Sequence, residues 1–203
     1  MPSPITRQLS VIDNGKKIIA ANPTWPGHHQ LKVRDGRFEL RGLDPAAVTR
    51  IYLFDPEHEW GATIDLSGKQ AGDVTIRLQP CGRAKARFLG PDGKPIAGHQ
   101  PMLEFVASPG PSQYDRMKAS EARLMAESDL IANIDRKHYG NGPRTHADGR
   151  LTMVSLIPGA LYRITDFSTA NDEKGEQIRK DFTVKPGETL DLGDIVIAKP
   201  ESQ

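Results

Sequence analysis

The chain has 203 residues, more than a usual domain of about 100–150, so one large domain or two small domains are both open. Its 27 Lys and Arg residues balance its 26 Asp and Glu residues, and a formal charge of +1 gives no field of one sign, which argues against a nucleic-acid partner. The 19 Gly and 16 Pro residues are typical of short strands joined by turns and argue against an all-helical fold.

Cysteine content and hydropathy exclude further classes. Cys81 is the single cysteine, so neither an intramolecular disulfide nor a paired-cysteine zinc site is predicted. Residues 18–21 are the longest apolar run near the N-terminus, too short for a signal-peptide core of roughly 7–15 residues or a span of about 20. The chain also has no phosphate-binding loop, nucleophile elbow or His-Glu-x-x-His helix. We therefore predict no membrane insertion, no signal peptide in this chain and no cofactor.

The first predicted elements follow a plan of one hairpin and several short strands. Asn14-Gly15 is a two-residue turn signal, because both residue types tolerate the positive φ of tight turns. Strands are predicted over residues 38–42, 51–54 and 74–78, where apolar residues recur between polar ones.

The same plan appears a second time in the chain. Asp35-Gly36-Arg37-Phe38 and Asp148-Gly149-Arg150-Leu151 are each followed, at matching positions, by apolar residues and a proline. The turn at Asn14-Gly15 likewise corresponds to a turn signal at Asp92-Gly93. Because a repeat sets the number of units before any strand is assigned, this one predicts two modules.

We predict an all-β fold of two tandem Ig-like or prealbumin-like β-sandwich modules, over residues 5–80 and 81–198, with a short hinge at residues 79–82. In the second module, strands are predicted over residues 84–88, before the Asp92-Gly93 turn, and over the two later stretches 161–164 and 190–197.

The second module also carries an insertion at about residues 109–144, where the alternation stops and the composition becomes helical. Four residues fall near one helical face: Tyr114, Met117, Leu124 and Met125. Ser128-Asp129 is predicted to cap a second short helix, with apolar residues Leu130, Ile131 and Ile134 and a stop at residues 140–143. Two roles stay open, a contact loop or a cover over a sheet edge.

Three stretches of the second module carry a family resemblance. Residues 87–98 resemble the opening hairpin of carboxypeptidase regulatory-like domains. Residues 148–163 are similar to the second signature of that family, and residues 185–197 to its closing strand. The first module matches less closely, with Pro45-Ala46 where the family has Pro-Gly and Lys17 where it has Pro.

The resemblance implies a transthyretin-like sandwich that serves as an accessory or adhesion module in large, often exported or cell-surface proteins. The matching residues are turn and core residues, which specify a backbone and not a chemistry. We therefore expect a non-catalytic binding or spacer module from a larger or exported bacterial protein, with a protein or glycan partner that the sequence does not identify.

An enzyme is the first alternative, because intradiol ring-cleaving dioxygenases share the prealbumin-like sandwich. Tyrosine and histidine are the iron ligands of that family, and Tyr114, His138, Tyr139 and His146 surround the insertion. The family also has a His-x-His on a strand after the Pro-Gly turn, whereas this chain has no histidine after His146. An incomplete ligand set argues against a metal site and against catalysis.

A carbohydrate-binding module is the second alternative. Trp25 lies beside His28-His29, and Trp60 lies two residues from His58. Aromatic faces with polar rims suit sugar rings, but isolated residues of these types are commonly packing or surface residues. The predicted contact residues are therefore Tyr114, His138, Tyr139 and His146 in the second module, and Trp25 and Trp60 in the first.

Overall fold

The structure is a computed structural model that describes residues 10–13, 18–19, 37, 48–67, 69, 72–106, 128–166 and 178–197. Strands make up most of this part of the chain and helices little of it, which agrees with the predicted all-β class. None of the helices in these ranges is long and apolar enough to cross a membrane.

The elements in the described ranges are short strands and two one-turn helices. In chain order they are β1 (Ser10–Asp13), β2 (Ile18–Ile19), β3 (Val48–Asp55), β4 (Trp60–Ser67), β5 (Gln79–Pro80), β6 (Gly82–Leu89), β7 (Met102–Val106), β8 (Ser128–Leu130), α1 (Ile131–Ile134), α2 (Arg136–Tyr139), β9 (Arg150–Leu156), β10 (Leu161–Asp166), β11 (Ile178–Phe182) and β12 (Thr189–Val196).

These strands form three small sheets. The first has the order β2-β1-β3-β4-β5, the second β11-β10-β7-β8 and the third β12-β6-β9. Neighbouring strands are antiparallel, except that β12 runs parallel to β6. Small sheets of mainly antiparallel strands are compatible with a β-sandwich.

Strand β3 contributes to two hydrophobic clusters, because side chains alternate between the faces of a strand. Ile51 and Leu53 pack on one face with Ala62 of β4 in a small cluster. Tyr52 and Phe54 on the other face join a larger cluster built from the second and third sheets and both helices. The first sheet therefore packs directly on the core of the rest of the chain.

The strand and turn predicted at residues 84–93 are confirmed. Strand β6 alternates buried and exposed residues from Gly82 to Ala86. After it, Gly93 N donates to Gly90 O at 2.9 Å, and Gly90 N donates to Lys94 O at 2.8 Å. The Asp92 carboxylate accepts from Lys94 N at 3.1 Å, so the turn is closed by its own polar groups.

The predicted closing strand is confirmed as β12, and its irregular apolar spacing has a structural cause. In a regular strand, side chains two residues apart face the same side. Leu190 and Leu192 have this spacing, but the buried Ile195 and Ile197 lie an odd number of residues further on and would face the opposite side. The register with β6 shifts between Asp191 and Asp194. A bulge adds one residue to a strand, so it restores the inward orientation of the second apolar pair.

The predicted strand at residues 74–78 differs from the structure. No ladder is assigned to residues 73–78, and pairing with β4 begins only at β5. Ile76 and Leu78 still pack against the small cluster. The alternation of this segment therefore reflects contact with the core and not strand pairing.

The end of the predicted insertion is partly corrected. Ser128 and Asp129 do not cap a helix, because they belong to β8 and pair with β7. The capping residue is Asp135, whose carboxylate accepts from His138 N at 3.2 Å at the start of α2. Ile131 and Ile134 are buried, and α2 ends before Gly140 as predicted. The predicted face containing Tyr114 lies outside the described residues.

The predicted division into modules at residues 5–80 and 81–198 stays a prediction. Its first Asp-Gly-Arg element lies outside the described residues except for Arg37. The second, Asp148-Gly149-Arg150, leads into β9 as expected.

Candidate functional site

The residues predicted to contact a ligand occupy different environments. Trp25 and Tyr114 lie outside the described residues. Trp60 begins β4 with 45% of its surface exposed, and His146 is exposed in the turn before β9. His138 and Tyr139 are neighbours on α2, where His138 is partly exposed and Tyr139 is buried.

The Tyr139 hydroxyl group is held by the backbone of β9. It donates to Val154 O at 2.7 Å and accepts from Val154 N at 2.8 Å. Strand β9 bulges here, because its register with β6 shifts between Gly82 and Ala84, and a bulge leaves a residue without ladder partners. Burial raises the pKa of the phenol. The hydroxyl supports the fold, and a contact role for Tyr139 stays a prediction.

His138 lies between two carboxylates that belong to different parts of the chain. Its Nδ1 atom is 2.7 Å from Asp135 Oδ2, and its Nε2 atom is 3.6 Å from Glu59 Oε1. Glu59 is also 3.3 Å from Arg83 Nη2, and Lys137 Nζ donates to Pro56 O at 3.3 Å. These contacts join α2 to the turn between β3 and β4, so the imidazole is fixed in place by the fold.

Cys81 lies close to the same carboxylates. Burial raises the pKa of its thiol to about 12, and the negative charges of Glu59 and Asp135 act in the same direction. A thiol is a nucleophile only as the thiolate, so Cys81 is not activated at neutral pH.

We expect the Cys81 thiol to react with the disulfide reagent DTNB at pH 8 more than about tenfold slower in the folded chain than in urea. The unfolded thiol ionises near its ordinary pKa, so the folded state loses stability as pH rises from that value toward 12. The measurement is the absorbance of released thiolate, with Cys81→Ser as the blank. Equal rates in both states would show that the thiol is accessible and ionised.

An open groove of about 640 Å³ lies beside β4. Five parts of the chain form it: Arg50 of β3, residues 62–65 of β4, the segment 75–79, the turn at 158–159 and residues 183–186. Thr63 Oγ1 donates to Pro158 O at 2.7 Å, which holds β4 against the turn before β10. The volume lies in the range of about 300–1,000 Å³ that is usual for ligand sites.

The charged residues that line the groove are mostly cationic. Arg50 donates two hydrogen bonds to Asp65, at 2.7 and 2.8 Å, and these lower the pKa of the Asp65 carboxyl group. Arg77 and Lys185 are exposed and make no ion pair in the described part of the chain. Asp65, the one carboxylate among these lining residues, is thus neutralised by Arg50, and the groove keeps an excess of positive charge.

The aliphatic lining lies on the other side of β4. Ile64 and Ile76 both pack against the small hydrophobic cluster. The groove therefore has a cationic and an aliphatic wall. The sequence did not reveal it, because its lining residues come from β3, β4, the segment 75–79 and two stretches near the C-terminus that only the fold brings together. The one local signal was Arg50 and Asp65, which face each other directly across β3 and β4.

No group of three or more His, Cys, Asp or Glu side chains in the described ranges is arranged to hold a metal ion. No protein-family model matches the chain, and no curated protein matches it at a significant level.

Proposed function

We propose that this chain is a non-catalytic binding module and that the groove beside β4 receives a protein partner. The observation that carries the proposal is the groove itself, which combines the exposed cations Arg77 and Lys185 with the aliphatic residues Ile64 and Ile76. Binding sites commonly join an apolar lining to a few placed polar groups.

The state of the reactive side chains supports binding over catalysis. The pKa of Cys81 is raised to about 12, so the thiol is protonated at neutral pH. The Tyr139 hydroxyl makes two hydrogen bonds to Val154. His138 is held between Asp135 and Glu59. Each group already has a partner or an environment that suits a structural role.

The same proposal includes a pair of carboxypeptidase regulatory-like sandwiches that act as accessory modules of a larger, exported protein. The closed turn at Asp92-Gly93 and the strand after Asp148-Gly149-Arg150 support it for the second module. After β9, Ile157 N donates to Tyr162 Oη at 2.7 Å, and the burial of both residues is compatible with a sandwich core.

Selection from a phage-displayed random peptide library tests the proposal. We expect immobilised wild-type chain to enrich peptides that lose at least tenfold in affinity for Thr75→Trp, because a large ring at this exposed position fills the groove. The matched control is Thr152→Trp, at an exposed position on β9 outside the groove. Failure to enrich any peptide, or equal binding to both variants, would contradict a peptide site in the groove.

A further inference from the structure

Within the described ranges, one edge of β4 has few strand partners along the groove. Strand β4 pairs with β3 from Trp60 to Ser67, but with β5 only at Trp60 and Gly61. The carbonyl of Glu59, just before β4, accepts a hydrogen bond from Cys81 N at 2.7 Å and therefore points toward the β5 side of the sheet. Main-chain groups alternate between the two edges of a strand, so those of Thr63 and Asp65 point toward the groove. No strand in the described part of the chain pairs with them.

We propose that an extended peptide binds by adding a strand to β4, with its main chain paired to Thr63 and Asp65. This inference rests on the proposed function and specifies how the groove would bind. Free N–H and C=O groups along an edge are a template for strand addition, and side-chain pockets beside the edge then select the sequence.

The walls of the groove specify the chemistry of the peptide. Successive side chains of an added strand alternate between the two faces of the sheet. One face carries the Arg50–Asp65 pair, near which Arg77 and Lys185 line the groove, and the other carries Ile64 and Ile76. The peptide that fits both faces alternates acidic and aliphatic residues.

A second copy of the chain fits the edge less well. Pairing of two β4 edges about a twofold axis brings the same groups of both copies together. Arg77 and Lys185 of one copy would then approach the same cations of the other, and juxtaposed like charges oppose association. An acidic peptide meets no such repulsion.

The experiment uses four short, acetylated and amidated peptides of equal length. One alternates Glu and Val, and one alternates Lys and Val. The other two carry the Glu–Val sequence with N-methyl groups on all Glu residues or on all Val residues. Because alternate amides of a strand face opposite edges, N-methylation of one set blocks pairing with β4, whereas methylation of the other set leaves it free.

We expect the Glu–Val peptide to bind the intact chain at least tenfold more tightly than the Lys–Val peptide, measured by calorimetry. One N-methylated peptide loses at least tenfold in affinity, and the other binds like its parent. Hydrogen exchange at the Thr63 and Asp65 amides slows on binding. The double variant Arg77→Glu, Lys185→Glu reverses the preference between Glu and Lys, whereas Lys94→Glu, an exposed charge reversal outside the groove, leaves it unchanged.

Equal binding of both N-methylated peptides would overturn strand addition. If their binding were still lost in Thr75→Trp, the groove would remain a peptide site and the proposed function would stand. A dimer seen by sedimentation without peptide, with slow exchange at Thr63 and Asp65, would assign the edge to a second copy and also overturn this inference. Loss of phage enrichment in the library experiment would instead contradict the proposed function itself.

Discussion

Replacing Gly149 with alanine is expected to lower the free energy of unfolding by about 3 kcal/mol or more. Gly149 has a φ of 75°, and a Cβ atom there would lie 2.5 Å from Phe88 O and 3.1 Å from Pro95 Cβ. Alanine would therefore suffer both left-handed backbone strain and a contact with main-chain atoms that cannot move aside alone. The same glycine accepts a hydrogen bond from Phe88 N at 2.8 Å, so any shift also disturbs β6.

Two other glycines separate these contributions. Gly93 has a φ of 73°, but a Cβ atom there would have nothing within 4 Å, so Gly93→Ala measures strain alone, at about 1–2 kcal/mol. Gly82 has no positive φ, but a Cβ atom there would lie 2.6 Å from Val184 Cγ2. Gly82→Ala therefore measures overpacking alone, and we expect it to lower the free energy of unfolding by about 1–3 kcal/mol. Urea titration gives all three values. A Gly149→Ala loss no larger than that of Gly93→Ala would contradict the close approach to Phe88.

Local sequence signals predicted the parts of the fold in which neighbours in sequence are also partners in space. The hydrogen bonds that close the Asp92-Gly93 turn lie within residues 90–94, so the residue types of this short stretch are enough to predict the turn. The alternation of β6 is likewise local, because one face packs inward along the whole strand. The same reasoning failed at residues 74–78, where Ile76 and Leu78 contact the core without a partner strand.

Tertiary pairing decided the elements that the sequence mispredicted. Ser128 and Asp129 are residue types that commonly cap helices, but here their backbone pairs with β7. Asp135 caps the helix α2 instead. The groove shows the same limit, since Arg77 and Lys185 are more than 100 residues apart in the chain, a separation that no local pattern spans. The sequence argument selected histidines and aromatic residues by chemical type, whereas the residues that line the groove are mainly aliphatic, cationic and threonine side chains.

Tyr139→Phe is expected to lower the free energy of unfolding by about 2–4 kcal/mol, although it removes one oxygen atom. That atom satisfies both Val154 N and Val154 O at the bulge of β9, and Tyr139 is 3% exposed. Phenylalanine leaves two partly buried backbone groups without partners. A fully buried unsatisfied group costs about 1–3 kcal/mol, so two partly buried groups are expected to cost less than twice the upper value. Denaturant titration measures the loss, and hydrogen exchange at Val154 locates it.

The matched comparison is Tyr162→Phe, because Tyr162 is also buried but its hydroxyl accepts a single bond, from Ile157 N at 2.7 Å. It should cost about half as much as Tyr139→Phe. A smaller loss for Tyr139→Phe than for Tyr162→Phe would contradict the paired role of the Tyr139 hydroxyl. Peptide affinity tests whether Tyr139 also contributes to binding. If Tyr139 acts only on the fold, the folded fraction of Tyr139→Phe binds the Glu–Val peptide with the affinity of the wild type. The reason is that the groove lies along β4 and not along α2.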